Sequence, residues 1–179
     1  MNKNSFLSTG NFQVNHILNH PEIKAISFVG SVPVAEHVYR TGTQNLKRVQ
    51  AFGGAKNHMV VMPDANKQQV INNLVGASCG AAGQRCMAIS VAVLVGEAQN
   101  GADEIKTALS NIQPGIWNDD KAAYGPLINQ NSKNKVLRLI KSAYTQGADV
   151  LLDGSDCVVE GYENGYFVGP TLFNNVTAE

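Results

Sequence analysis

Ala25-Ile26-Ser27-Phe28-Val29-Gly30-Ser31-Val32-Pro33-Val34 is the stretch that decides the fold. Five residues rich in strand formers run into Gly-Ser, and Pro33 follows where the first turn of a helix tolerates a residue without an N–H. The spacing predicts a buried strand over 25–29, then a helix carrying Val34, Val38 and Tyr39 as its apolar stripe up to Gly42. Strand, Gly-Ser loop and helix form one α/β unit. Upstream, Val14, Ile17 and Leu18 give a short helical pattern ending at His20-Pro21, and residues 1–10 read as a loose lead-in.

Downstream the unit recurs. A Gly-Gly turn at 53 and 54 precedes a strand over 58–62, and Pro63-Asp64 leads a helix with Val70, Ile71, Leu74, Val75 and Ser78 on one face. Asp64 is the expected N-cap, because its carboxylate can accept a free N–H of the first turn. The helix, expected over 66–82, runs into Gly80-Ala81-Ala82-Gly83 and Gln84-Arg85-Cys86, and a third strand follows over 89–95. Helices are expected over 103–110 and 132–146, the second carrying Val136, Leu137, Leu139, Ile140 and Tyr144. Short strand-like pieces broken by glycine complete the tail. Strands alternating with helices predict an α/β fold around a largely parallel sheet.

Composition narrows the function classes. The 179 residues hold 14 Lys+Arg against 14 Asp+Glu, which excludes nucleic-acid binding by bulk positive charge. The longest nearly apolar run, 89–95, is far below the roughly 18 residues of a membrane helix, and the N-terminal residues show no signal-peptide core. A soluble, cytoplasmic protein is the expectation. Charged residues make up 16%, below the roughly 25% of an average domain, so apolar faces that self-associate are expected.

Four places carry candidate chemistry. Three cysteines without zinc or CxxC spacing leave at least one free thiol. Cys79 lies on a helical stripe and reads as packing, while Cys157 stands beside Asp156, whose charge would raise its pKa. Cys86 follows Arg85 at a helix-to-strand junction hemmed by small residues, where a cation favours the nucleophilic thiolate; residue types alone leave it open between a reactive and a structural thiol. Phe28-Val29-Gly30-Ser31 ends a strand and opens a helix, the place where an open α/β sheet binds phosphate, and equally an ordinary turn. Gly53-Gly54-Ala55-Lys56 lacks the spacing of a phosphate-binding P-loop. The histidines His16, His20, His37 and His58 lack HExxH or cysteine partners, so no metal site is expected, and pairing Cys86 with His58 as a cysteine hydrolase finds no local signature.

Taken together, Phe28-Val29-Gly30-Ser31, Asn45-Leu46-Lys47-Arg48-Val49, Gly54-Ala55-Lys56-Asn57, Gly83-Gln84-Arg85-Cys86, Tyr124-Gly125-Pro126-Leu127 and Gly165-Tyr166-Phe167 with Pro170-Thr171-Leu172 resemble, in order and spacing, the aldehyde dehydrogenase superfamily. Within it, Gly54 to His58 and Gly83 to Ala88 look like the CoA-acylating methylmalonate-semialdehyde dehydrogenase branch, whose chemistry belongs to valine and inositol catabolism. The resemblance implies a three-layer αβα catalytic domain over 53–179, lacking its C-terminal part, after the C-terminal end of an NAD-binding domain over 1–52.

It implies that Cys86 is the nucleophile and that Phe28, Gly30, Ser31 and Gly53 lie at the NAD cofactor. Arg85 and Gln84 are then expected at a small-molecule semialdehyde, since a guanidinium offers a fork to its carboxylate. The product is propionyl-CoA or acetyl-CoA, with coenzyme A as co-substrate and a homo-oligomer as the working form. Most hydrolytic members carry a glutamate four residues before the lysine; here that position is Phe52. A missing general base is worth about 10² to 10⁴ in rate, which fits acyl transfer to CoA rather than water. The family's oxyanion-hole asparagine, worth about 3 kcal/mol, and its Glu-x-Phe-Gly-Pro segment find no counterpart in the chain. A slow enzyme is therefore expected, or alternatively a non-catalytic remnant that binds itself or a partner.

Overall fold

The computed structural model describes residues 11–177, so the lead-in expected over 1–10 lies outside the described residues. The chain divides into two compact units, Met1–Ala55 and Lys56–Glu179.

The first unit contains helix α1 (Asn11–Asn19), strand β1 (Ala25–Val29), helix α2 (Val32–Gln44) and strand β2 (Arg48–Phe52). β1 and β2 pair in parallel, from Ala25 opposite Arg48 to Val29 opposite Phe52, and α2 makes the crossover that parallel pairing requires. Half-buried Ile26 and Phe28 stand beside Val49 and Ala51 on one face of the pair. α2 packs through Ala35, Val38 and Gly42; a Cβ on Gly42 would lie 2.6 Å from Val49 Cγ2, so the helix settles closely onto β2. The stripe is therefore out of phase with the one expected. Val34 and Tyr39, at 41% and 53% exposure, point away from it. After α2 the chain turns through Leu46 at φ 56°, and buried Lys47 donates from Nζ to His20 O (2.5 Å) and Ile23 O (2.6 Å). Those two bonds tie the α1–β1 connection to the start of β2.

The second unit repeats the motif with β3 (Asn57–Val61), α3 (Lys67–Cys79) and β4 (Ile89–Leu94), and β3 pairs β4 in parallel. The N-cap of α3 is Asn66, not the expected Asp64: the helix starts at Lys67, so the half-in position falls on Asn66, whose Oδ1 accepts from Gln69 N at 3.0 Å. Such a cap contributes about 1 kcal/mol. Leu74 of α3 packs with Ile105 and Leu109 of α4 (Ala102–Ser110), joined by Met59 and Ile89 from the strands. A second cluster forms where Ile140 of α5 (Gln130–Thr145) meets Leu127 and Val168. Leu139 and Tyr144, expected on its buried face, are 59% and 48% exposed. Tyr144 instead turns outward to hydrogen-bond the Asp153 carboxylate. β5 (Asp149–Leu152) and β6 (Leu172–Asn174) pair antiparallel.

The architecture is α/β, as expected, and parallel pairing predominates. Among the described residues the strands bond as three separate pairs, not one continuous sheet.

Candidate active site

Cys86 lies on the short link between α3 and β4, and the path of that link is unusual. After α3, Ala81, Ala82 and Gly83 stand in succession at φ 54°, 53° and 70°, all left-handed. For an alanine this conformation costs about 1 kcal/mol or more, because its Cβ crowds the following carbonyl. The helix expected to run to residue 82 therefore ends at Cys79 and its continuation coils the opposite way. Gln84 closes that coil, its N and Nε2 donating to Ala81 O at 3.1 and 3.2 Å. A further turn, Ala88 N to Arg85 O at 3.0 Å, presents Cys86.

Of the three cysteines Cys86 is the exposed one. Cys79 is half-buried in the wall of an apolar cavity of about 310 Å³, together with Leu74, Ala82, Tyr124 and Val168; burial pushes its thiol up in pKa and a bond with Ser78 only partly opposes this. The Cys157 thiol is also raised, but by burial and not by the neighbouring Asp156, while Lys133 works the other way. The direction expected for Cys157 is right and its cause is corrected.

Arg85 is tied down. Its Nη2 donates to Gly76 O at 2.8 Å and Ala77 O at 3.3 Å, the last carbonyls of α3, where the helix dipole favours a cation. Gly80 makes room, since a Cβ there would sit 2.5 Å from that same nitrogen. The guanidinium expected to fork a carboxylate thus has one amino group already engaged by the protein. On the other side of Cys86, Asn57 Nδ2 donates to Cys86 O at 2.8 Å and Ala88 O at 3.0 Å. Asn57 has no role in the sequence-based expectations; its only signal there is an amide at the start of a strand. His58 Nδ1 is held against Lys56 O at 2.8 Å. Among the described residues no group of three His, Cys, Asp or Glu side chains is placed to hold a metal ion.

The remaining candidates belong to the first unit. Ser31 is the N-cap of α2, and its hydroxyl makes no cap hydrogen bond, so the free N–H groups of the first turn and the hydroxyl are both available to a phosphate oxygen. Gly30 donates its N–H to Phe52 O at 3.1 Å, extending the ladder by one bond. The half-buried Phe28 ring occupies the space over Gly30, where a Cβ would come within 2.5 Å of Phe28 Cζ; at Gly53 a Cβ would meet Val32 Cγ2 at 2.8 Å. Both glycines thus have a local packing reason. Phe52 is 53% exposed.

Comparison with known proteins settles the class: residues 4–179 match the aldehyde dehydrogenase family model, and the chain belongs to that family. It is 54% identical over 163 residues to the rat mitochondrial methylmalonate-semialdehyde/malonate-semialdehyde dehydrogenase [acylating], covering 91% of this chain and 30% of the relative. The malonate-semialdehyde dehydrogenase of Bacillus subtilis (strain 168) is 47% identical over 167 residues, 93% of this chain and 34% of its own. A Sinorhizobium meliloti 1021 protein complexed with NAD superposes with a TM-score of 0.88 at 47% identity, over 92% of this chain and 34% of that one. The chain spans about a third of the length of these relatives and shares the aldehyde dehydrogenase fold over that part.

Proposed function

We propose that this chain carries the nucleophile-bearing part of an NAD-dependent, CoA-acylating semialdehyde dehydrogenase acting on methylmalonate or malonate semialdehyde. The observation that carries the reading is Cys86, the exposed cysteine on a turn anchored on both sides by Arg85 and Asn57. Relatives at 54% and 47% identity bear the corresponding names.

In this reading the Cys86 thiolate adds to the aldehyde carbon, forming a C–S bond, and the carbonyl oxygen takes the charge. NAD, when bound, supplies the two-electron acceptor for the hydride on that carbon. The uncapped Ser31 and the free N–H groups of Val32 and Val34 at the start of α2 suit its pyrophosphate, and Phe28, Gly30 and Gly53 are assigned to the same cofactor on the family resemblance. Cys86 is then left as a thioester. The substrate's β-carboxylate departs as carbon dioxide, and the carbon it leaves is protonated. The CoA thiolate attacks the thioester carbonyl, giving acetyl-CoA or propionyl-CoA and freeing the Cys86 sulfur. Phe52 offers no carboxylate to activate water, so hydrolysis lacks a base at that position. Arg85, with Gln84 beside it, is assigned to the substrate carboxylate.

A cytoplasmic location and self-association are part of the proposal; apolar Leu46, Trp117 and Ile128, at 95%, 94% and 78% exposure, are the surfaces that would drive association. The rat relative is mitochondrial by name. The test is production of NADH and acyl-CoA from malonate semialdehyde, NAD and CoA by the purified protein, compared with Cys86→Ser. Activity that depends on Cys86 and on CoA supports the reading; turnover that survives Cys86→Ser overturns it, and no turnover at all favours the non-catalytic alternative.

A further inference from the structure

Asn57 gives both of its side-chain donors to one turn of chain. Its Nδ2 bonds Cys86 O at 2.8 Å and Ala88 O at 3.0 Å, and an amide nitrogen has two hydrogens to give. The β3–β4 ladder is irregular at this residue: Asn57 stands opposite Ile89 while His58 stands opposite Val91, so β4 holds one extra residue, Ser90. Ser90 Oγ donates to Asn57 O at 3.4 Å. A bulge of this kind re-aims a side chain out of the regular ladder. Arg85 meanwhile fixes the preceding residue to the end of α3. Cys86 therefore sits between two anchors, a guanidinium before it and an amide on its own carbonyl.

We propose that Asn57 is a positioning residue for the reaction: it fixes the main chain of Cys86 and thereby the direction in which the thiol is presented. This rests on Cys86 being the nucleophile. The residue type follows from the chemistry. Two carbonyl oxygens need two donors from one short side chain, and an aspartate of the same shape would oppose them with oxygens that carry no proton.

The test is iodoacetamide alkylation of the native protein across about pH 6 to 9, with peptide mapping of all three cysteines, in the wild type, Asn57→Asp and Asn57→Ala. Both variants are expected to change the rate at Cys86 relative to Cys79 by roughly tenfold and to move the pH midpoint of Cys86 labelling. Tyr124→Phe, which removes a buried bond elsewhere in the same unit, is the stability control and leaves the absolute rate and pH midpoint at Cys86 unchanged; because Tyr124 lines the cavity with Cys79, the Cys79 rate is not the reference for this variant. A wild-type rate and midpoint in folded Asn57→Asp overturn the proposal. Should that variant fail to fold, Asn57→Ala decides: it removes both donors without adding a charge, and a wild-type rate and midpoint in it overturn the proposal equally. Turnover surviving Cys86→Ser would sink the nucleophile reading itself, whereas a dead Cys86→Ser with unaffected Asn57 variants sinks only the role given to Asn57.

Discussion

Arg85 Nη2 donates to the Gly76 carbonyl at 2.8 Å, nine residues back along the chain and across the left-handed coil at Ala81–Gly83. The bond gives Arg85 a structural task that operates whether or not substrate is present. The proposed carboxylate recognition can be separated from it by comparing substrates. Arg85→Leu is expected to raise KM for malonate semialdehyde by roughly ten- to a hundredfold, the equivalent of a charge-assisted hydrogen bond, and to change KM for propanal little. Equal losses for both substrates would leave the helix tie as the whole role of Arg85.

Gly80→Ala tests the same side chain from the other direction. A Cβ 2.5 Å from Nη2 must displace the guanidinium, and the end of an arginine moves cheaply. Unfolding in urea should shift by less than about 1 kcal/mol, while discrimination between carboxylated and neutral aldehydes weakens. A large stability loss with unchanged discrimination would contradict this.

The cysteines should separate by reagent accessibility. Burial lifts the Cys79 and Cys157 thiols in pKa, which lowers their thiolate fraction near neutrality, and Cys86 is exposed. Limiting iodoacetamide at pH 7 should label the Cys86 peptide first. Prior labelling of Cys79 would mean that the cavity it lines opens readily.

Tyr124 donates its hydroxyl to the buried Val168 carbonyl at 2.8 Å. Tyr124→Phe leaves that oxygen unpaired and should cost about 1 to 3 kcal/mol in denaturant unfolding. Burial, with Cys79 and Cys157 adding, holds the Tyr124 phenol well above its ordinary range. An unfolded tyrosine ionises near 10, so the fold binds this proton more tightly. Its stabilising contribution is fully present below about pH 10 and is lost as pH rises through the folded-state value. The alkaline limb of stability against pH should therefore be shallower in Tyr124→Phe above pH 10.

Gly154 and Gly169 cross backbone to backbone, with Gly169 N donating to Gly154 O at 2.8 Å. A Cβ on Gly154 would fall 2.1 Å from Gly169 O, and neither atom belongs to a flexible side chain. Gly154→Ala is expected to destabilise by about 1 to 3 kcal/mol or more, read from urea unfolding; a neutral result would show that the crossing has slack.

Periodicity made much of this fold legible. Strand 25–29 and the helices near 103–110 and 132–146 lie where their apolar spacing puts them, but the strand is not buried as expected: only Ile26 and Phe28 are half-buried, while Ala25, Ser27 and Val29 on the other face are exposed. β2 carries no such signature: only Val49 and Ala51 are half-buried in it, and its strand character comes from lying beside β1. The neighbours of Cys86 mark it as a candidate but leave it open between a reactive and a structural thiol, and its assignment as nucleophile comes from the family resemblance. The partners that hold it could not be singled out, since Arg85 bonds carbonyls, which every residue possesses, and the reach of Asn57 depends on a ladder slip at Ser90. The cap at Asn66 against Asp64 shows the usual uncertainty of a residue or two at helix ends.

The buried ammonium of Lys47 gives the first unit a built-in footprinting probe. Both carbonyls it serves lie in the α1–β1 connection, so an acylating reagent can reach Nζ only when that connection lifts away. Its labelling rate, set against that of exposed Lys106, would measure the free energy of one local opening of that connection.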